Sequence, residues 1–508
     1  MQYDAIVVGA GLGGLCAAFE LCRKGQKTLL LEQHNLPGGY ASSFVRGRFE
    51  FEPSLHELPD LRSIKEASGV IRYLKDDADL DITFLSIPEA YRVILTDENV
   101  NVRMPFGREN LIDVIEKEVP GSRESVSNYM ALCLEVQDSF AYLNNHQDDL
   151  NYLELLRKHG NFIRTGSYTA EEVADVLKVP RKARDILYAY WCYLGVPMDR
   201  MSFTLWAALL NSYIASGAVI PKDRSHEIAS AFIQKIEALG GSVWFNSRVD
   251  KIEVDQNRIQ SVKLASGEII QTKNVICNTS PTRVFNTLIS PVSSIPEMAL
   301  KNVNSRIHGF SLVVVYLGLD IDYKTLGLED YSYFIAPHMD TSRLYDTIHD
   351  IHSTELMQAA VCLNAANPDC SPPGTTILSM AAGQSADAWR EVTPETYVQS
   401  KEVLADIMIT QFEMATGVDL RSHIEEIEIA TPQTFARYTD SYNGLVYGYE
   451  PEPWDAILPR ALSLQEENYI QGLQFCGGYS YRSHGYGSSI LSGRAAVERA
   501  LSPKGAVS

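Results

Sequence analysis

The run Phe49-Glu-Phe-Glu-Pro-Ser-Leu-His-Glu-Leu58 sets a histidine among carboxylates in a segment that otherwise reads as a strand. His56 carries the one side chain there whose charge changes near neutral pH. It can therefore hold or move a proton, or hydrogen-bond a carbonyl. A lone histidine as readily bonds a backbone carbonyl and does no chemistry, and both readings stay open. Glu57 reads as a solvated carboxylate. A second group lies near the C-terminus, in Tyr479-Ser-Tyr-Arg-Ser-His-Gly-Tyr-Gly-Ser-Ser489. Tyr481 and His484 there could handle protons, and Arg482 could anchor an anionic group. Residues of an ordinary surface loop would look the same. The chain has 8 cysteines, none in a C-x-x-C pair, which points to reduced thiols and no metal site.

Those residues need elements to hold them. Tyr3-Asp-Ala-Ile-Val-Val-Gly9 reads as a buried parallel strand. Gly9-Ala-Gly11-Leu-Gly13-Gly14 follows, then a helix from about Leu15 to Lys24 stopped by Gly25, then a strand Lys27-Thr-Leu-Leu-Leu-Glu-Gln33. In this G-x-G-x-x-G turn the first glycine permits the bend and the second lets a pyrophosphate approach the backbone. The third lets helix and strand pack closely. The helix N-terminus then offers free N–H groups to phosphate, and Glu32 at the end of the second strand can accept from ribose hydroxyls. Gly9, Gly11, Leu12, Gly13, Gly14, Glu32 and Gln33 are the expected nucleotide contacts.

From about Glu89 to Gly217 the pattern is mostly helical. The apolar run Phe203–Pro221 is interrupted by Thr204, Asn211, Ser212, Ser216 and Gly217, so it fits a buried helix or an apolar tunnel wall better than a membrane span. A helix at Glu227–Leu239, stopped by Gly240-Gly241, leads into short strands of period two, as if a nucleotide domain resumed after an insertion. Pro394–Met414 reads as an amphipathic helix with Tyr397, Val403, Leu404, Ile407 and Phe412 on related faces.

At 508 residues the chain is long enough for roughly two or three domains, and its composition is ordinary for a globular protein. A net charge of −20 argues against nucleic acid as a partner. The N-terminus enters a strand directly, without a charged leader. A cytoplasmic location is expected, with peripheral contact to a membrane left open.

The arm Gly38-Gly39-Tyr40-Ala41-Ser42 after Glu32 resembles the extended FAD signature of the glutathione-reductase-like flavoproteins. The C-terminal segment Gly472–Leu501 agrees: strand, glycine loop, helix. In those flavoproteins such a segment brings a glycine near the ribityl chain, here Gly477. It also turns a helix N-terminus to the flavin pyrimidine, here Ser488, Ser489 and Ile490. A reduced flavin carries negative charge that helix N–H groups stabilise. Over nearly its whole length the chain resembles the phytoene desaturase, carotenoid cis-trans isomerase and retinol saturase superfamily. The segments that carry this include "PFGRENLIDVIEKEVPGSRESVSNYM", "GAVIPKDRSHEIASAFIQKIEALGGSVWFNSRVDKI", "VVVYLGLD", "NPDCSPPGTTILSM" and "ATPQTFARYT".

The resemblance implies an α/β fold: a glutathione-reductase-like Rossmann FAD-binding domain interleaved with an α+β substrate domain. FAD-binding parts are expected at 1–75, 217–290 and 456–508, and substrate parts at 76–216 (mostly helical) and 291–455. It implies FAD as cofactor, Val249 offering its backbone to adenine, and Asn278 and Thr279 on the phosphate side. It implies desaturation, saturation or isomerisation at C–C and C=C bonds of a hydrophobic polyene or isoprenoid. His56 matches a histidine of the saturase branch. This sequence departs from the superfamily at Gly478, where aspartate is common, and at Asp223-Arg224, where Gly-Gly is usual. An arginine facing the cavity there would suit a carbonyl- or carboxyl-bearing substrate. Glu52 stands where aspartate is usual and Ser54 where glycine often stands. An amine oxidase shares the fold, but its aromatic cage is not legible in the sequence. A non-catalytic flavoprotein or hydrophobic-ligand carrier is the third reading. No second full G-x-G-x-x-G unit is present, which leaves the electron partner open among oxygen, a quinone and a protein.

Overall fold

The computed structural model describes residues 1–60, 69–145, 151–456, 459–460, 469–480 and 484–502. Tyr481 and Arg482 therefore lie outside the described residues.

Short apolar runs from three distant parts of the chain build one five-stranded parallel sheet. Its order is Ser242–Trp244, Thr28–Leu31, Ala5–Val8, Val275–Cys277, Leu473–Phe475. Ala5–Val8 is central because it is apolar throughout and both its faces are covered. Ala5 and Val7 pack with the helices Leu12–Arg23, His226–Ala238 and Tyr486–Leu501. Ile6, Leu29 and Leu31 point the other way, into the core under the antiparallel strands Val249–Asp255, Arg258–Leu264 and Ile269–Gln271.

The first helix begins at Leu12, earlier than the pattern suggests. Gly11 is its extended N-cap, so Gly13 and Gly14 fall in its first turn. This brings the helix against the C-terminal one. A Cβ on Gly493 would stand 2.9 Å from the Ala17 nitrogen and 3.0 Å from the Cys16 Cβ.

The second region is a seven-stranded mixed sheet. Its order is Ile424–Ala430, Ser311–Leu319, Thr376–Gln384, Gln358–Cys362, Ser332–Ala336, Tyr91–Leu95, Val100–Met104. The last two strands correct the expectation of helix from Glu89 onward. They pair as an antiparallel hairpin, and helices start only at Arg108. Helix Tyr397–Thr416 covers one face, pressing Leu404, Met408 and Phe412 on Val313, Leu317 and Tyr333. Val403, expected on that stripe, is 39% exposed. The other face carries Val314, Tyr316, Val361 and Ile377 toward Phe49 and Phe51.

The strand in the Phe49–Leu58 run stops at Phe51. Residues 52–57 are irregular, and Leu58–Pro59 then pairs with Ala218–Pro221. Helix Phe203–Ser216 is an interior helix, with Phe203, Trp206, Leu210 and Ile214 in the core. Among the described residues no helix is long and apolar enough to cross a membrane.

Gly493→Ala should force the N- and C-terminal helices apart and cost about 1–3 kcal/mol. A urea melt followed by fluorescence would show the midpoint fall. An unchanged midpoint would mean the crossing has slack that the distances do not show.

Candidate functional site

A cavity of about 1150 Å³ runs from the Gly9–Gly13 turn to the wall formed by Leu205 and Leu209. Both the first and the last helix open onto it, and neither N-cap residue, Gly11 or Gly485, makes a side-chain capping bond. The first amides of each helix have no acceptor within the helix, so they offer donors and partial positive charge to whatever fills the space. Gly9 has φ 95°, which favours glycine. A Cβ on Gly13 would stand 2.8 Å from the Gly477 nitrogen and 2.9 Å from the Ser489 carbonyl oxygen. Gly13 is thus where three backbone segments converge. Gly14 does not line the cavity: a Cβ there would strike the Gly9 carbonyl, so its part is helix–strand packing.

Glu32 ends its strand with Oε2 accepting from the Ala10 N–H at 2.7 Å and Oε1 from the His34 N–H at 2.8 Å. Each oxygen keeps a lone pair for a ribose hydroxyl. Gln33, Gly39, Tyr40, Ala41 and Ser42 line the cavity on one side of this carboxylate. So do Leu12, Val249, Asn278, Thr279, Gly477, Ser488 and Ser489 around the glycine turn. Ile490 does not. It is wholly buried in the helix–sheet core, on the opposite side of the helix from Ser488, Ser489 and Leu491, which line the cavity. Uncapped helix ends, a carboxylate held at a strand end and glycines where a Cβ would fill the space together fit a dinucleotide.

The opposite part of the cavity holds the residues able to move protons. Glu52 is buried and anchors the irregular segment, accepting from Ser225 N–H at 2.8 Å, Ser225 O–H at 2.6 Å and Leu55 N–H at 3.2 Å. Ser54 donates to the Tyr40 carbonyl at 3.0 Å and lies 2.9 Å from the Tyr486 hydroxyl. His56 lines the cavity, with Nδ1 3.1 Å from the Tyr193 hydroxyl. Tyr331 donates to the His56 carbonyl. His484 is not a surface residue: it is buried, lines the cavity, and donates from Nε2 to the Tyr193 carbonyl at 3.0 Å. Its ring centre is 4.3 Å from that of Tyr447. Burial pulls both imidazoles down to about 4, so both are neutral at neutral pH.

Glu57 overturns its expectation. It is 3% exposed rather than solvated, lines the cavity, and lies 3.4 Å from the Tyr193 hydroxyl through Oε1. Its Oε2 has no hydrogen-bond partner among the described residues. Desolvation pushes its carboxyl up to about 8, against weaker opposing hydrogen bonds from Tyr190 and Tyr193. Around it the structure also gathers the aromatic residues that the sequence did not place together. The rings of Tyr190 and Tyr193 lie 5.0 Å apart centre to centre, and each lies within 5.8 Å of the rings of Tyr213 and Phe334. Arg224, by contrast, does not face the cavity. It is 7% exposed and donates to the Glu50 carbonyl at 2.8 Å and to the Cys370 carbonyl, tying the Phe49–Phe51 strand to a distant loop.

The neutral histidines carry a sign. Their folded-state values lie below the ordinary 6.5, so the unfolded chain binds more protons between 6.5 and about 4. Stability is therefore lost as pH falls through that window, by roughly 1–3 kcal/mol per buried imidazole. His484→Gln should flatten the acid limb of a melting-temperature profile. A limb as steep as in the parent protein would show that His484 is already charged or accessible.

Residues 12–501 match the family described as flavin containing amine oxidoreductase. An all-trans-retinol 13,14-reductase from Danio rerio is 27% identical over 475 residues, 88% of this chain and 77% of that protein. A chloroplastic prolycopene isomerase from an Oncidium hybrid cultivar is 23% identical over 522 residues, 99% of this chain and 84% of that protein. Among solved structures, cyclohexylamine oxidase from Brevibacterium oxydans superposes with a TM-score of 0.61 at 14% identity, covering 98% of this chain and 99% of that one. At that identity the likeness is one of fold. The reductase and isomerase relatives agree with the resemblance to the desaturase, isomerase and saturase superfamily. The chain belongs to the flavin containing amine oxidoreductase family.

Proposed function

We propose that this flavin oxidoreductase binds FAD and acts on C=C or C–C bonds of a hydrophobic, unsaturated small molecule. The observation that carries this is the continuity of the cavity. A single space joins the glycine turns to apolar walls that include Leu205, Leu209, Leu312, Met357 and Val361. The retinol reductase and prolycopene isomerase relatives, whose names refer to polyene chemistry, support the substrate class.

In this reading, residues 1–75, 217–290 and 456–508 hold the cofactor, and 76–216 and 291–455 hold the substrate. The Gly9–Gly13 turn and the first helix take the pyrophosphate, Glu32 the ribose, and Val249 the adenine edge. Asn278 and Thr279 lie on the phosphate side. The last helix, from Tyr486, would offer N–H groups to the isoalloxazine. When bound, the flavin supplies hydride transfer at its N5.

The chain's own task is to orient, to exclude water and to handle the proton. Apolar walls keep bulk water from the reacting bond. His56, neutral and open to the cavity, presents an imidazole to the substrate while Tyr193 holds its Nδ1. His484 keeps the Tyr193 backbone in place through its carbonyl. The walls set a preference for a long apolar ligand, and among the described residues they supply no fixed cation beside His56. Location in the cytoplasm, with or without peripheral membrane contact, belongs to the same proposal.

The test is anaerobic. Purified holoprotein is titrated, in its oxidised and reduced forms, with retinoids and with carotenoid polyenes, and the flavin absorbance is followed. Extracted polyenes are analysed for saturation, desaturation or geometric change. A change in flavin redox state or in the polyene supports the proposal. Hydrogen peroxide formed from alkyl amines, with no polyene altered, would replace it with the amine oxidase reading. A flavin that responds to no polyene, amine, NAD(P)H or quinone would replace it with the carrier reading.

A further inference from the structure

We propose that Glu57 is the protonated reservoir of a relay, Glu57 to Tyr193 to His56, that delivers a proton to the substrate. The proposal rests on the functional reading above and gives it a direction, toward adding a proton at carbon.

The geometry supports a chain of three. The Tyr193 hydroxyl stands between Glu57 Oε1, at 3.4 Å, and His56 Nδ1, at 3.1 Å. His56 Nε2 has no protein partner among the described residues, and the ring lines the cavity. With Glu57 protonated, its O–H donates to the Tyr193 oxygen instead of accepting from it, Tyr193 then donates to Nδ1, and Nε2 carries the ring proton. The backbone under the relay is held from several sides. Tyr213 donates to the Glu57 carbonyl at 3.3 Å, Tyr331 donates to the His56 carbonyl, and His484 holds the Tyr193 carbonyl. These bonds fix the spacing that proton transfer needs.

Several elements face Glu57, and among the described residues none offers it a positive charge. Tyr190 and Tyr193 come from the turn Tyr188–Tyr193, and Tyr213 comes from helix Phe203–Ser216. Glu89 precedes strand Tyr91–Leu95, and Tyr331 precedes strand Ser332–Ala336. His56 is its chain neighbour and is neutral. Glu89 is itself a carboxylate and adds repulsion. A buried carboxylate with one unpartnered oxygen and no cation is costly, whereas the carboxylic acid is not. The charged form is therefore avoided until a proton has somewhere to go.

The transfer balances. The His56 Nε2–H bond breaks as a substrate C–H bond forms. His56 Nδ1 takes the Tyr193 proton, and the Tyr193 oxygen takes the Glu57 proton. Glu57 ends as a carboxylate and His56 as the other neutral tautomer. A bound reduced flavin would supply the hydride, and with it the electron pair, for the second C–H bond, so the relay supplies the proton alone. Glu57 thus acts through Tyr193 and His56 and is a positioning residue in this scheme.

The test begins without substrate. In holoprotein labelled with ¹³C-glutamate, infrared difference spectra are recorded across pH. A protonated carboxyl band should fade as pH passes about 8 and should be missing in Glu57→Gln. Single turnovers with an accepted polyene follow. Glu57→Gln should be slower by on the order of a hundredfold with flavin still bound. It should also lose the alkaline limb of the pH–rate profile, and Glu57→Asp should restore part of both. Tyr193→Phe, which keeps the ring, should lose the same limb, and it stands in if Glu57→Gln does not fold. A wild-type spectrum without such a band overturns the proposal whatever the substrate is. An unchanged rate and limb in both variants overturns it as well. A band that behaves as expected supports the buried acid, even where the absence of polyene turnover sinks the functional reading.

Discussion

The rest of the structure depends on the backbone junction at Gly13. There the first helix, the loop after Leu473–Phe475 and the start of the last helix meet so closely that one methyl group would not fit between them. This contact joins the two ends of a long chain. It sets two uncapped helix N-termini beside one another at the mouth of the same cavity. Donors that no helix can satisfy internally then face a single volume, which selects for an extended, anionic ligand such as a dinucleotide. The hundreds of residues between those ends are accommodated because the chain returns three times to the same parallel sheet, adding Ser242–Trp244, Val275–Cys277 and Leu473–Phe475 around Ala5–Val8 and Thr28–Leu31.

Much of the nucleotide side was legible because its signals are local. A glycine turn between an apolar strand and a helix has one mechanical meaning, and Glu32 sits at the strand end where the spacing puts it. The less legible residues are those whose environment is made by distant segments. Ile490 shares a short run with Ser488 and Ser489, yet the helix period turns it into the core. Val100–Met104 alternates apolar and polar residues as a strand does, and Tyr91–Leu95 is a short, mostly apolar run rich in β-branched residues, but the helical text around them hides both. Arg224 follows the strand Ala218–Pro221 and points away from the cavity, because Glu50 and the Cys370 loop offer it acceptors.

Glu57 shows the same limit most clearly. Nothing in Leu-His-Glu-Leu distinguishes a solvated carboxylate from a buried acid. The difference lies in Tyr190, Tyr193, Tyr213 and Tyr331, which arrive from elements far along the chain and displace water without supplying a positive charge. A sequence lists the tyrosines but not their convergence. The aromatic cluster around this segment was invisible for the same reason.

The electrostatic character of the two halves of the cavity follows from these packing facts. At the glycine turns, unsatisfied backbone N–H groups concentrate positive potential. At the His56 end, burial drives the described titratable groups there to their neutral forms: the imidazoles of His56 and His484 below the usual range, the Glu57 carboxyl and the Tyr193 phenol above it. A neutral wall neither holds a fixed charge against an apolar ligand nor forces that ligand to carry one. Such a wall can still pass a proton, because hydroxyl, imidazole and carboxylic acid each both donate and accept. The chain thereby separates anion binding from proton handling within one continuous space. The separation is one of packing, set by helix ends and burial rather than by the sign of the net charge of −20.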